Sequence, residues 1–445
     1  MTDLTAAPPA QPAALSKGYT RYALGLLLVI YIFNFLDRQV VNILAEPIKQ
    51  DLNLKDWQLG MMSGFAFAVF YTVLGVPIAR LAETRNRGLI IASALAAWSG
   101  FTVMCGQAQN FLQLCLFRIG VGVGEAGCTP PAHSLISDYV PKEKRASALA
   151  FYSMGVPLGS LLGMAMGGVI ADAYGWRIAF LVAGAPGLLL AVLAAFTLRE
   201  TRSRLAADVA AAKADQPSFG DSMRLLAGKR TFWLLAFAAA LKSFISYGHA
   251  PFTASFFLRN HGEEVAGLAG GFGLQSVGFL GLAIGLISGI CGALSSITGG
   301  WIADKVGAKD VRNILIAPAL AVIFSVPAFI AAMLADSAVL ALALLMIPYL
   351  LNYFWYGPVY STAQSIVPAN MRATSAAVLL FIVNLIGLGL GPLLVGVLSD
   401  IFAEGVGLGV AEGVRWSLIT VSLFGLLSGV LFWMARKSIK ADLEG

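Results

Sequence analysis

The stretch Phe33-Asn-Phe-Leu-Asp-Arg-Gln39 decides how this chain is read. It lies inside an apolar run from about Tyr22 to Ala45, so Asp37 and Arg38 stand side by side where hydrocarbon is expected. Ionisable groups at membrane depth are costly and rare, and they mark function. The composition supports that setting: 58% of residues are hydrophobic, 12% are charged, and the mean hydropathy is +0.79. A soluble domain carries about 25% charged residues. So much apolar surface has no hiding place in a water-soluble fold, so the chain is read as an all-α polytopic membrane protein.

A spanning helix takes about 20 apolar residues. Twelve such runs are present, near 22–45, 57–81, 88–107, 111–139, 146–172, 177–198, 231–258, 275–303, 313–335, 338–365, 373–401 and 415–435. They are continuous rather than alternating, which excludes a β-barrel. The expected organisation is a disordered tail over 1–18, a six-helix bundle over 19–198, a linker over 199–229, a second six-helix bundle over 230–436, and a tail over 437–445. The Ala/Pro-rich start lacks the basic-then-apolar pattern of a cleaved signal. The linker, with Arg202, Arg204 and Lys213, reads as a solvated connection or as an interfacial amphipathic helix.

The net charge of +6 reflects membrane orientation and not nucleic-acid binding. With both termini placed in the cytoplasm, only Lys49, Lys55, Arg177, Arg259 and Arg415 fall in outer loops, and Arg38, Arg118 and Lys242 fall within spans. The other lysines and arginines lie inside, as the positive-inside rule requires. The expected location is the inner (plasma) membrane. The four cysteines form no CxxC pair, and no metal or cofactor motif is present.

The two halves repeat each other. Ala79-Arg-Leu-Ala-Glu83 echoes Gly300-Trp-Ile-Ala-Asp304, Val140-Pro…Arg145-Ala-Ser echoes Val367-Pro…Arg372-Ala-Thr, and Gly168-Val-Ile-Ala-Asp172 echoes Gly396-Val-Leu-Ser-Asp400. Three matches in order at nearly one offset indicate a duplicated six-helix unit around a central site.

Only Asp37 and Glu125, of the 24 acids, fall well inside a span. Glu125 follows Arg118 by about two helical turns, so the two share a face. Gly120, Gly122 and Gly124 between them remove bulk and let another helix come close. Asp37 and Arg38 project about 100° apart on their helix, so each must look to another helix. A four-residue network follows: Arg118 serves Asp37 and Arg38 serves Glu125, or the reverse. A carboxylate balanced between desolvation and a neighbouring arginine can load and release a proton. The alternative is a static buried network that holds the first half together.

In the second half, Lys242 reads as a counter-ion for an anionic substrate group, or as a lysine snorkelling to the surface. Phe244 and Tyr247 follow it, and Asn352, Tyr353 and Tyr356 lie in the aromatic tenth span; all five are candidate cavity residues. His133 and His249 read as packing or hydrogen-bonding groups. Small residues at Gly155, Gly159 and Gly163, and again at Gly387 and Gly391, suit sliding contact between the halves.

With these residues in place, the chain resembles the major facilitator superfamily. The signature loop of that family is matched by Gly300, Asp304, Lys305 and Gly307, and more loosely by Ala79, Glu83, Arg85 and Arg87. The resemblance implies a cytoplasmic latch from Glu83, Arg85, Arg87, Arg145, Asp304, Lys305 and Arg372. Within the superfamily, Asn34-Phe-Leu-Asp37-Arg38 and Arg118…Gly122-Val-Gly124-Glu125-Ala resemble the spinster group of lipid transporters, in a bacterial form. The resemblance implies a proton-coupled secondary transporter of lysophospholipid or sphingoid-phosphate amphiphiles, acting as a monomer by alternating access, with Asp37 and Glu125 as the coupling acids and Arg38 and Arg118 as their partners. Organic anion/proton symporters for sugar acids carry similar charges, and they are the second reading. A passive receptor or scramblase without coupling is a third. A membrane enzyme is disfavoured, because the chain has no HExxH or GxSxG and only three histidines.

Overall fold

The computed structural model describes residues 15–201, 219–307 and 310–444. Residues 1–14 of the expected tail over 1–18, and 202–218 of the expected linker over 199–229, lie outside the described residues; helix begins at Lys17, inside the expected tail, and Phe219–Gly228 of the expected linker is helical. Among the described residues, eleven helices are long and apolar enough to cross a membrane: α1 Lys17–Ile43, α2 Asp56–Ala82, α3 Arg87–Cys105, α4 Phe111–Tyr139, α5 Ser147–Tyr174, α6 Trp176–Thr197, α7 Arg230–Asn260, α8 Ser276–Gly307, α9 Val311–Met333, α11 Thr374–Gly405 and α12 Val410–Leu443. A twelfth, α10, starts at Ala338–Leu350, breaks, and resumes at Tyr356–Ser365.

Local sequence sets several of these starts. The side chains of Ser16, Asn86 and Asn110 accept hydrogen bonds from the N–H groups of Tyr19, Leu89 and Gln113 at the beginnings of α1, α3 and α4. Each satisfies a backbone donor that the first helical turn leaves open. Gly175 joins α5 to α6 at φ +86°, a conformation that suits glycine.

The tenth span departs from the continuous run expected over 338–365. Residues 351–355 form turns, between Pro348 on one side and Gly357-Pro358 on the other. Proline interrupts the helical ladder from within but is tolerated in the first turn of the next helix. The freed N–H of Tyr353 donates to Ser295 Oγ of α8 at 2.8 Å, so a neighbouring helix satisfies this backbone donor at the break.

Helices α1–α6 pack together, as do α7–α12, and two seams join the halves: α5 against α8, and α2 against α11. Lipid supplies no hydrophobic drive between helices, so close approach of small residues carries such seams. A Cβ at Gly281 of α8 would lie 2.3 Å from Met164 O of α5. The glycines expected at the sliding interface serve elsewhere. Gly155, Gly159 and Gly163 receive Tyr31, Ile32, Phe35 and Leu36 of α1, and Gly387 and Gly391 receive Ser243 and Phe244 of α7. Helix α5 is thin on two faces, and the face toward α8 is the inter-half one.

The start of α1 and the end of α12, which lead to the two termini, lie at one end, where Tyr19 donates to Thr197 O and Lys229 to Asp442 O. The hydrogen bonds and ion pairs between halves cluster at the opposite, far end. Arg259 of α7 holds Asp56 (2.7 Å) and Glu46 (2.6 Å) of the first half. Lys49 also reaches Asp56 at 2.6 Å, and Ser399 of α11 donates to it at 2.6 Å. Asp56 and Glu46 are buried.

The acids of the third internal repeat lie here too. Asp172 at the end of α5 accepts from Gly278 N in the first turn of α8 at 2.5 Å. Asp400 of α11 accepts from Asp56 N and Trp57 N in the first turn of α2, at 3.0 and 2.8 Å. Each repeat therefore caps a helix of the other half.

Candidate functional site

At the centre of the first half, α1 sends its two charges to different helices. Arg38 binds Glu125 of α4 through Nε (2.7 Å) and Nη2 (2.6 Å). Asp37, 1% exposed, accepts from Thr102 Oγ1 of α3 at 3.1 Å, and among the described residues its Oδ1 has no hydrogen-bond partner. The four expected residues are brought together, with one half of the pairing realised directly. Arg118 meets no described carboxylate within 4.0 Å; Thr102 takes the place beside Asp37. Arg118 is buried, lies close enough to act electrostatically on both acids, and makes one long contact, 3.5 Å, to Met62 O.

Phe67 of α2 stands between the two cations. Its ring centroid is 4.9 Å from the Arg38 guanidinium carbon and 5.0 Å from that of Arg118. Phe35 and Tyr71 complete the aromatic surround of Arg38 at 5.2 and 4.7 Å. Cation–π contact compensates like charges that desolvation would otherwise penalise. Phe67 and Thr102 escape sequence reasoning, because an aromatic or a threonine inside an apolar span carries no motif.

The glycines of α4 act as expected. A Cβ at Gly122 would lie 2.6 Å from Phe67 O, and one at Gly124 would lie 2.6 Å from Trp98 N and 2.9 Å from Trp98 Cα. These are backbone atoms of α2 and α3, which cannot step aside alone. Gly124→Ala is therefore expected to destabilise the protein by about 1–3 kcal/mol through overpacking. Thermal unfolding in detergent measures this; an unchanged melting temperature would show that α3 is not held there.

In the second half, Lys242, Ser246 and His249 share one face of α7. Lys242 Nζ donates to Asn352 Oδ1 (2.7 Å) and Ser246 Oγ (3.1 Å), so the lysine is tied to the break in α10. A cavity of about 70 Å³ adjoins them, lined also by Ser325, Phe329, Tyr349 and Ser422. His249 stacks on Phe329 at 4.0 Å and meets Ser422 at 3.3 Å, so it is a packing and hydrogen-bonding group. The exposed His133 packs edge-on against Tyr152.

Tyrosines from both halves meet near Arg38. Tyr247 lies within electrostatic range of Arg38, Tyr71 and Glu125, and Tyr356 within that of Tyr247, Tyr353 and Tyr31. Tyr353 and Tyr356 have ring centroids 5.7 Å apart. Phe244 does not join them. It sits about 200° round the helix from Lys242, packed edge-on against Phe424.

The expected latch residues occupy the end that carries the termini. The side chains of Glu83 and Asp304 lie outside the described residues. Arg87 is fully buried within the first half, bound to Asp138 at 2.6 Å, to Ser134, and to Glu200. Arg145 reaches Val140 O at 3.3 Å, Lys305 lies over the Trp301 ring, and Arg85 and Arg372 are exposed.

Residues 27–392 match the model of the Major Facilitator Superfamily, and this chain belongs to that family of membrane transporters. Within it the chain is spinster-like. A solved bacterial homologue of the human lysosomal transporter Spinster, in an inward-facing and unoccupied conformation, superposes with a TM-score of 0.84 at 32% identity, covering 96% of this chain and 99% of that one. An "MFS-type efflux pump" of Mycolicibacterium smegmatis is 31% identical over 422 residues, 95% of this chain and 94% of its own. A "Hexuronate transporter" of Bacillus subtilis is 24% identical over 84% of this chain and 86% of its own.

Proposed function

We propose that this protein is a proton-coupled secondary transporter that moves an amphiphilic, lipid-like anion of lysophospholipid or sphingoid-phosphate type by alternating access. The observation that carries the reading is the Arg38–Glu125 pair beside Asp37, in a surround where tyrosines of both halves converge. Among the described residues Asp37 has an unpartnered oxygen in a buried site, where a proton can sit. Glu125 can exchange Arg38 for a proton as the halves rock. Lys242 anchors the anionic group, and Tyr247, Tyr353 and Tyr356 offer apolar faces with polar edges to the rest of the cargo.

The excess of lysine and arginine at the end with the termini favours a plasma-membrane orientation with both termini cytoplasmic. The far-end lock then faces outward, and the state described here is closed to the outside. Glu83 and Asp304 would close the inner end in the opposite state. The protein works as a monomer in this scheme, because each chain carries both halves of the cavity.

A sugar-acid transporter is the second reading, favoured by the likeness to the hexuronate transporter. Proteoliposomes separate the two. A lysophospholipid is expected to move when a pH gradient is imposed and to stop when the gradient is collapsed, while a hexuronate does not move. Hexuronate uptake without lysolipid movement would replace the first reading by the second, and gradient-indifferent movement of either would remove the coupling.

A further inference from the structure

We propose that the cavity beside Lys242 is a binding site for one singly charged anionic group, a carboxylate, a phosphodiester or a halide, and that it discriminates against dianionic phosphate. The inference rests on the transporter reading only for its biological meaning; the site itself stands on geometry. Lys242 is 5% exposed, and no carboxylate of the described residues lies within 4.0 Å of it. Its partners, Asn352 and Ser246, are neutral. A buried cation without a counter-charge is costly, and proteins that keep one keep it for a ligand or a switch.

The hydrogen-bond inventory narrows the ligand. An ammonium has three donors. Two are spent on Asn352 Oδ1 and Ser246 Oγ, which leaves one for a ligand. The hydroxyls of Ser325 and Ser422 donate to the carbonyls of Val322 and Leu418. The Asn352 amide, the Tyr349 hydroxyl and the His249 ring also line the cavity and can orient a ligand, but Lys242 is the one lysine or arginine in the lining, and its single charge matches one negative charge. A dianion would bring a second charge into walls that include Val326 and Phe329, with no second lysine or arginine to neutralise it and only His249, stacked on Phe329 and meeting Ser422, as a further titratable group. The size agrees: about 70 Å³ admits the charged group itself with a water or two, the rest of a larger ligand lying outside it. Of the two cargo types proposed above, a lysophospholipid diester fits this count, and a sphingoid phosphate monoester at neutral pH does not.

The experiment uses the full chain in detergent. Thermal unfolding is followed while chloride, acetate or a monoanionic lysophospholipid is added to a low-salt zwitterionic buffer, with a long-chain phosphate monoester as the dianionic probe. Lys242→Met removes the charge at similar volume, and Lys242→Arg keeps it. The expected result is stabilisation by the monoanions in the wild type, lost in Lys242→Met, with apparent affinity for the dianion weaker by about tenfold, a difference of about 1.4 kcal/mol.

Competition between chloride and the lysolipid would assign the site to the cargo headgroup. Chloride binding without competition would assign it to a resident free anion. Either supports the site. Equal stabilisation of wild type and Lys242→Met, or tighter binding of the dianion, overturns it. A protein that binds monoanions through Lys242 and transports nothing would overturn the transporter reading and leave the site standing.

Discussion

In proteoliposomes under an imposed pH gradient, Glu125→Gln and Asp37→Asn will each reduce cargo movement to the level seen with the gradient collapsed, a loss of about tenfold or more, while exchange without a gradient persists. The reason is one of charge. Glutamine fills the Glu125 site at equal volume but leaves Arg38 without its anion, in contact with Phe35, Phe67 and Tyr71. Removing one member of a buried pair costs about 3–5 kcal/mol, and a neutral amide takes up no proton. The protein can no longer trade Arg38 for a proton at this position.

Asparagine at 37 is milder for the fold, because Thr102 can still donate to the amide oxygen, yet it removes the other protonatable oxygen. A static network predicts the opposite pattern, in which both variants lose stability and exchange alike. If both variants keep full gradient-driven movement, Asp37 and Glu125 do not couple protons.

The second large effect is at the far end. Arg259→Ala is expected to convert the population from closed to open there. Arg259 binds two buried acids of the other half, and Lys49 remains on only one of them. The loss of about 3–5 kcal/mol approaches the ~5.5 kcal/mol that swings a two-state equilibrium from one per cent to ninety-nine. A Met164→Cys substitution, at the seam under Gly281, reports the opening by reaction with a maleimide. The native cysteines, Cys105, Cys115, Cys128 and Cys291, are all buried, which keeps the background low. Labelling of Met164→Cys is expected to accelerate strongly when Arg259→Ala is added and to be partly restored to its slow rate by Arg259→Lys. Equal rates with and without Arg259 would show that these ion pairs do not hold the end shut.

These two regions differ in how far the sequence reveals them. The spans, the duplication and the central charges are legible because long apolar runs with charges stranded inside them fit no water-soluble fold. The pairing is not legible. Helix geometry alone allows Arg118 to partner Asp37, and only the packing of α3 brings Thr102 there. The glycines of α5 announce a close contact but not its partner, since small residues on two faces fit two neighbours equally. The break in α10 is hidden because Pro348 and Pro358 sit in an otherwise continuous apolar run. The far-end network is the least visible. Glu46, Asp56 and Arg259 fall at span ends, where charges are ordinary, and nothing local reveals that they are buried against each other.

The repeated acids Asp172 and Asp400 also govern how that end moves. The duplication places one cap on each seam, and each reaches across to the backbone of the opposite half. A rigid rotation of one half about the central axis stretches both caps in the same stroke, along with the ion pairs around Arg259. Hydrogen bonds of this kind are lost once stretched by about 1 Å. The end therefore behaves as a two-bolt catch, drawn together or not at all. A transporter with such a catch spends little time ajar, which keeps a continuous path across the membrane from opening.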